Sequence, residues 1–135
     1  MAKSFKVMIV TPDKIAYEGD AISAVVPGVE GYLGVWANHA PLVGAVAPGL
    51  VSLKLDSAGS EKFFSVGTGF VEISDNVVNI MTDTCEFGDE IDADRAEKSL
   101  TRGRERLATV TDKLDRERAR TSIARAQARI SAKGR

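Results

Sequence analysis

The residues best placed to do chemistry in this sequence are arginines near its end. Arg125 and Arg129 are four positions apart, and Arg95 and Arg102 are seven apart, so each pair would share one face of a helix. Guanidinium groups held close together repel each other unless an anion bridges them. The spacing therefore indicates an anion site. Solvated helix faces remain the alternative, and nucleic acid is disfavoured because no aromatic residue lies among these arginines.

The sequence contains no recognisable catalytic pattern. His39 is the only histidine and Cys85 the only cysteine, and there is neither a Gly-x-Ser-x-Gly motif nor a phosphate-binding glycine-rich loop ending in lysine. We interpret His39 as bonded to a loop carbonyl, with Trp36 packed nearby, and Cys85 as a small apolar filler at a strand end. We therefore predict no catalytic residue, no metal site and no enzymatic activity.

Charge and composition change together near residue 90. Residues 1–90 carry 5 of the 18 Lys and Arg but 12 of the 19 Asp and Glu, so an acidic segment is followed by a basic one. All prolines and all aromatic residues also precede residue 91. We predict two units, a β domain over 1–89 and a helical domain over 90–135. No apolar run is long enough to cross a bilayer, and we expect a cytoplasmic protein.

The first unit is predicted to be an antiparallel β-sandwich, and the whole chain to be of the α+β class. Short apolar runs separated by Pro, Gly, Asn and Asp are typical of such a sandwich. The predicted strands cover 5–10, 22–26, 32–36, 51–55, 63–66, 70–73 and 77–81.

The second unit is predicted to be a hairpin of two helices. Asp92 and Asp115 each follow an apolar residue and are followed by Arg-Ala three positions on, as expected of N-caps. Residues 109–113 would connect the two helices. The apolar stripes are thin: Ala96, Leu100, Leu107 and Val110 on one helix, and Ile123, Ala126 and Ile130 on the other. We therefore expect the hairpin to dock weakly and reversibly on its acidic partner domain.

Residues 31–42, Gly-Tyr-Leu-Gly-Val-Trp-Ala-Asn-His-Ala-Pro-Leu, resemble the signature Gly-x-Leu-Gly-(aliphatic)-x-x-x-His-(Ala or Ile)-Pro of ATP synthase epsilon subunits. The segments 10–13, 17–18 and 66–73 are also similar to that family, in the same order. Thr68 departs from the pattern, which usually has glycine there, and Ala37-Asn38 replace the usual Pro-Gly.

This resemblance implies a rotor subunit of the bacterial F-type enzyme, peripheral to the cytoplasmic face of the plasma membrane and not inserted into it. The sandwich would bind the gamma subunit through His39 and face the c-ring through a loop formed by Val29, Glu30, Gly31 and Tyr32. The hairpin would either fold onto the sandwich or extend towards the alpha and beta catalytic subunits and inhibit hydrolysis. A stand-alone nucleotide or anion sensor and a helical-hairpin scaffold are the alternative hypotheses.

Some bacterial members of that family bind ATP through an (Ile or Leu)-Asp-x-x-Arg-Ala pattern, which residues 91–96 match. The resemblance implies an ATP site made by Glu86, Ile91, Asp92, Arg95, Ala96, Arg102, Arg125 and Arg129. ATP would then be a regulatory ligand that holds the hairpin folded, with no required cofactor and the need for Mg²⁺ left open. Residues 114–119 match the same pattern, and there we interpret it as a helix start alone.

Overall fold

Ten strands and two long helices make up the part of the chain that the computed structural model describes, residues 3–110 and 112–133. The strands are β1 (Phe5–Val10), β2 (Ile15–Ala21), β3 (Ser23–Gly28), β4 (Gly31–Trp36), β5 (Leu42–Val46), β6 (Gly49–Lys54), β7 (Glu61–Val66), β8 (Gly69–Ser74), β9 (Val77–Thr82) and β10 (Cys85–Phe87). A short 3-10 turn (Gly88–Glu90) leads to α1 (Ala93–Thr109) and α2 (Lys113–Lys133). The predicted α+β class, with strands first and a helical hairpin after them, is confirmed.

The strands follow the order β10-β7-β6-β3-β5-β8-β9-β1-β2, with β4 paired to β3. All described pairings are antiparallel except that of β1 with β9, which is parallel, so the expectation of a wholly antiparallel sandwich is wrong at that one pair. Alternation along the strands builds the core: Phe5, Val7 and Ile9 of β1 are buried while Lys6 is exposed. Similar inward positions on the other strands complete one apolar core.

The seven predicted strands all exist, with ends that differ by at most two residues. Three further strands, β2, β5 and β10, were not predicted. β2 carries Glu18, Gly19 and Asp20 and buries only its last residue fully, so its composition resembles that of a loop. β10 has only three residues, too few for any periodicity to show.

Gly69 opens β8 at a point where the neighbouring strand leaves no room for a side chain. A Cβ there would overlap the main-chain carbonyl oxygen of Met81, which cannot rotate away, whereas a Cβ on Gly44 of β5 would only touch Val71 at 3.7 Å. We expect Gly69→Ala to lower the free energy of unfolding by about 2–4 kcal/mol, and Gly44→Ala by less than about 1 kcal/mol. Urea unfolding of both variants checks this, and equal losses would contradict it.

The predicted N-cap of the first helix is confirmed, but that of the second is wrong. Asp92 Oδ1 accepts a hydrogen bond from the Arg95 N–H at 3.1 Å. In α2 the capping side chain is Asp112, whose Oδ1 accepts from the N–H groups of Leu114 at 2.9 Å and Asp115 at 3.2 Å. Asp115 therefore lies within the first turn. Thr111, inside the predicted connection, is outside the described residues.

The hairpin packs through small side chains. α2 lies on β6, β7 and the 3-10 turn, and α1 lies mainly against α2. Gly103 is buried between the helices, where an added Cβ would approach Ile123 Cγ1 to 2.8 Å, so the glycine allows close contact. The buried residues of α2 are all alanines: Ala119, Ala126, Ala128 and Ala132.

Of the predicted stripes, Ala96, Leu100 and Ala126 are buried, while Leu107, Val110, Ile123 and Ile130 are half-buried. Neither described helix is long and apolar enough to cross a membrane.

Several large apolar side chains remain on the surface of the sandwich. Paired positions on β5, β8, β9, β1 and β2 form one row across the sheet: Ala45, Phe70, Met81, Val10 and Ile15. Phe70 is 59% and Ile15 56% exposed. Met81 is 41% exposed, while Ala45 and Val10 are half-buried. A row of apolar residues with several exposed members is typical of a protein-binding surface. Trp36 was expected to pack but is 64% exposed, because strand alternation turns it away from the buried Val35.

Candidate functional site

A cavity of about 370 Å³ opens where the helical hairpin meets the sandwich. Its lining comes from both units: Glu86 of β10, Glu90 and Ile91 of the connection, Asp92, Arg95, Ala96, Ser99 and Arg102 at or on α1, and Arg129 of α2. A cavity of this volume is in the range of small-molecule sites. Its walls are therefore formed by the sandwich and the hairpin together.

One face of α1 makes the first wall. Arg95, Ser99 and Arg102 follow each other at spacings of four and three residues, so they share a face of the helix. The Asp92 side chain caps the N-terminus of this helix. Because Asp92 also lines the cavity, the cavity lies beside the positive end of the helix dipole. Arg102 Nη2 donates to Ser99 Oγ at 3.2 Å, and this bond orients the guanidinium group along the wall. This face is suited to binding phosphate groups.

The opposite wall is made by an ion pair between the sandwich and α2. Arg129 Nε donates to Glu86 Oε1 at 2.6 Å, with 29% and 40% of the two side chains exposed. Alternation along β10 turns Glu86 towards the hairpin while Cys85 is buried in the sandwich core. Burial raises the pKa of the Cys85 thiol to about 11, so this group stays protonated at neutral pH. It acts as the predicted apolar filler.

Ile91 anchors the floor of the cavity. It is buried, and it packs in a small cluster with Leu50 of β6, Phe63 of β7 and Ala132 of α2. This cluster is separate from the main core and is the apolar part of the contact between hairpin and sandwich. Its small size means that burial of apolar surface contributes little to docking, in keeping with the thin stripes in the sequence.

Seven of the eight residues predicted for an ATP site line this cavity, and Arg125 does not. The Arg125 guanidinium lies one helical turn away and bonds to Asp83 at 2.7 Å. Glu90 and Ser99 also line the cavity and were not predicted. The helical spacing of Ser99 from Arg95 and Arg102 could have indicated it.

The remaining predicted contact residues lie on the sandwich surface. Val29 and Glu30 form the two-residue tip between β3 and β4, where Gly28 pairs with Gly31, and Gly31 takes a φ of 129°. Val29 and Tyr32 are largely exposed. His39 Nδ1 lies 2.7 Å from the Ala40 carbonyl oxygen, which agrees with the loop role inferred from the sequence. Val29, Glu30, Gly31 and Tyr32 are exposed, and His39 is half-buried.

Chains with this fold occur in solved mitochondrial ATP synthase assemblies. A chain of the Euglena gracilis mitochondrial ATP synthase superposes with a TM-score of 0.79 at 22% identity, over 93% of this chain and 79% of that one. A chain of the Tetrahymena thermophila mitochondrial ATP synthase central stalk and c-ring superposes with a TM-score of 0.68 at 16% identity, over 95% of each chain. At these identities the likeness concerns the fold.

Sequence relatives are closer. The ATP synthase epsilon chain of Syntrophomonas wolfei is 38% identical over 98% of this chain and 96% of its own length. That of Ruminococcus albus is 35% identical over 97% of each. Residues 4–88 match the family model described as the ATP synthase delta/epsilon chain β-sandwich domain, and residues 89–134 match its long α-helix domain. The chain therefore belongs to the ATP synthase delta/epsilon family.

Proposed function

We propose that this chain is a non-catalytic central-stalk subunit of a rotary ATP synthase. Its sandwich attaches it to the stalk, and its hairpin regulates ATP hydrolysis by the enzyme. Family membership supports the assignment to the central stalk. The exposed apolar row across β5, β8, β9, β1 and β2 is suited to a gamma subunit, and the exposed β3–β4 tip to a c-ring. In such an assembly the chain is peripheral to the membrane, on its cytoplasmic side.

The hairpin is the regulatory element of this proposal. It contacts the sandwich through small side chains, one small apolar cluster and two arginine–carboxylate pairs. Partly exposed ion pairs contribute little stability individually, so the docked and undocked states differ by a small free energy. An undocked hairpin, which is basic, would bind the catalytic alpha and beta subunits and restrain hydrolysis.

ATP is the proposed ligand of the cavity between the hairpin and the sandwich. Arg95 and Arg102 supply cationic donors for phosphate oxygens, and Arg129 adds a third from the other helix. The carboxylates of Glu86, Glu90 and Asp92 are acceptors suited to the adenine amino group and the ribose hydroxyls. The division of the lining into basic and acidic parts therefore fits a nucleotide better than a simple anion.

The single observation that carries this proposal is that the cavity is assembled from both units. A ligand that contacts β10, α1 and α2 together has its binding site only in the docked state. Such a ligand stabilises the docked state relative to the undocked state by the difference between its binding free energies to the two states. High ATP would keep the hairpin folded, and low ATP would release it to inhibit hydrolysis.

Calorimetric titration of the isolated chain tests the ATP site. We expect saturable heat with ATP at one site per chain, with and without Mg²⁺, and a much weaker response to inorganic phosphate, which lacks the nucleoside. Absence of heat at millimolar ATP would reject the site. Co-purification with gamma and catalytic subunits supports the rotor role, whereas a free chain that responds to ATP would favour a stand-alone sensor.

A further inference from the structure

Ser99 lies on the face of α1 that borders the cavity between the hairpin and the sandwich. It lines that cavity together with Arg95, four residues before it, and Arg102, three residues after it. Ser99 is half-buried, whereas both arginines are exposed. At a rise of about 1.5 Å per helical residue, the positions of Ser99 and Arg102 are about 4.5 Å apart along the helix axis. A ligand on this wall that contacts Arg102 therefore lies next to the Ser99 hydroxyl group.

The Ser99 hydroxyl group has its hydrogen available to a ligand. Its oxygen accepts a hydrogen bond from Arg102 Nη2 at 3.2 Å, and a hydroxyl group that accepts one bond can still donate another. The Thr101 hydroxyl group, by contrast, donates to the Glu97 carbonyl oxygen, four residues earlier in α1. In the part of the chain that the structure describes, the Ser99 hydroxyl group donates to no protein atom.

Ser99 and Arg102 together are suited to binding a phosphate group. Arg102 makes no ion pair within the described residues, so its guanidinium group keeps donors for an oxygen anion. Because the bond to Ser99 limits the positions of this guanidinium group, less conformational freedom is lost when a phosphate binds. The hydroxyl group adds a bond to a charged acceptor, which is stronger than a bond between neutral groups. The two side chains therefore offer adjacent donors to one phosphate chain.

We propose that Ser99 is a phosphate-binding residue of this cavity. Its hydroxyl group donates to a phosphate oxygen and, at the same time, holds the Arg102 guanidinium group against the same phosphate chain. The inference rests on the proposed function for the identity of the ligand, the triphosphate of ATP. It adds to that site a neutral residue that lies outside the motif at residues 91–96.

Substitution of Ser99 by alanine is expected to weaken ATP binding about tenfold, the lower end of the range for a hydrogen bond to a charged group. The change removes both the donor to the phosphate and the acceptor that orients Arg102. Ser99→Thr keeps a hydroxyl group and should bind ATP within about twofold of the unmodified chain. Calorimetric titration of the three chains measures both results. An alanine variant with unaltered affinity, or a threonine variant as weak as the alanine one, would overturn the proposal.

A role of Ser99 in stability alone predicts a different outcome. Alanine is the stronger helix former, so Ser99→Ala should leave α1 at least as stable as before. The one hydrogen bond of the Ser99 side chain in the described structure is to α1 itself. Hydrogen exchange of the α2 amides without nucleotide should therefore stay within about twofold of that of the unmodified chain. Exchange that rises by the same factor as the loss of ATP affinity would assign that loss to undocking and overturn the proposal.

The matched control is Thr101→Ala. Thr101 is two residues further along α1, is exposed and does not line the cavity, and its hydroxyl group is bonded within the helix. Its replacement removes one hydroxyl group from the same helix, and we expect less than a twofold change in ATP affinity. Equal losses in Ser99→Ala and Thr101→Ala would contradict a specific contact between Ser99 and the ligand.

The double variant Ser99→Ala/Arg102→Ala tests whether the two residues act as one unit. If Ser99 holds Arg102 against the phosphate chain, part of its effect disappears together with the guanidinium group. We expect Ser99→Ala to lower ATP affinity by less than about threefold in the Arg102→Ala chain, against about tenfold in the unmodified chain. An undiminished tenfold effect would show that Ser99 acts independently of Arg102 and would overturn the coupling.

Inorganic tripolyphosphate separates this inference from the proposed nucleotide function, because it offers the phosphate chain without adenosine. We expect it to bind more weakly than ATP and to lose affinity in Ser99→Ala by a similar factor. Such binding of tripolyphosphate without any binding of ATP would reject the nucleotide site and support the role of Ser99. Binding of ATP that does not depend on Ser99 would reject that role and keep the nucleotide site. Binding of neither ligand would reject both.

Discussion

Removal of residues 91–135 is expected to raise the rate of ATP hydrolysis by the assembled enzyme. If an undocked hairpin restrains about nine-tenths of the complexes at low ATP, the rate should rise about tenfold. The sandwich holds a core of its own, formed within residues 5–87, so it should remain folded and assembled. The hairpin adds to that unit the small cluster around Ile91 and the two arginine–carboxylate pairs. Hydrolysis by purified complexes with full-length and truncated chains measures the effect.

The truncation needs one control because it uncovers Leu50 and Phe63, which the hairpin covers. Truncated and full-length chains should therefore be compared for the amount that co-purifies with the complex. Equal incorporation together with unchanged hydrolysis at low ATP would contradict the inhibitory role of the hairpin.

Substitution of Arg95 by alanine is expected to weaken ATP binding about 10- to 100-fold, the range for loss of a charged hydrogen bond of about 1.5–3 kcal/mol. Arg95 lines the cavity from the first turn of α1, beside the Asp92 cap. Its side chain makes no ion pair in the described structure, so it is available to a phosphate group. Calorimetric titration of the variant with ATP measures the loss.

Arg104→Ala is the matched control for this substitution. Arg104 is on the same helix, nine residues further along, so at 100° per residue it lies on the opposite face. It is exposed and does not line the cavity. Its removal changes the net charge by the same amount, and we expect less than about a twofold change in affinity. Similar losses for the two variants would indicate a non-specific charge effect and no defined site.

Much of the architecture was predictable because its signals are local. The composition change near residue 90 separates the strands from the helices, and alternation identified seven strands. The Asp92 cap followed from its position before a helical run. Alternation would also have assigned Trp36 correctly, because Val35 must face the core and its neighbour must then point outwards.

Other features depend on where distant segments meet, and no local pattern contains them. Residues 91–96 and 114–119 match one motif, yet only the first borders the cavity, because only the first lies beside β10. Asp115 was predicted to cap the second helix, but the path of the connection places Asp112 at the cap instead. β2 carries charged residues that mask its pairing with β1.

The arginines of α2 also show which features spacing can predict and which depend on distant segments. Arg125 and Arg129 share a helix face by spacing, as predicted, but spacing could not tell which of them borders the cavity. The turn before β10 places Asp83 beside Arg125, and β10 places Glu86 beside Arg129. Two equivalent residues in the sequence therefore have different neighbours in the fold.

Hydrogen exchange across α2, measured on the isolated chain with and without saturating ATP, tests the central claim that a ligand between the two units holds the hairpin down. We predict that ATP slows exchange of the α2 amides at residues 119–132 by about tenfold or more, while those in the β1–β9 pairing change little. If ATP binds and α2 exchanges at the same rate with and without it, the nucleotide does not control docking and the account is wrong.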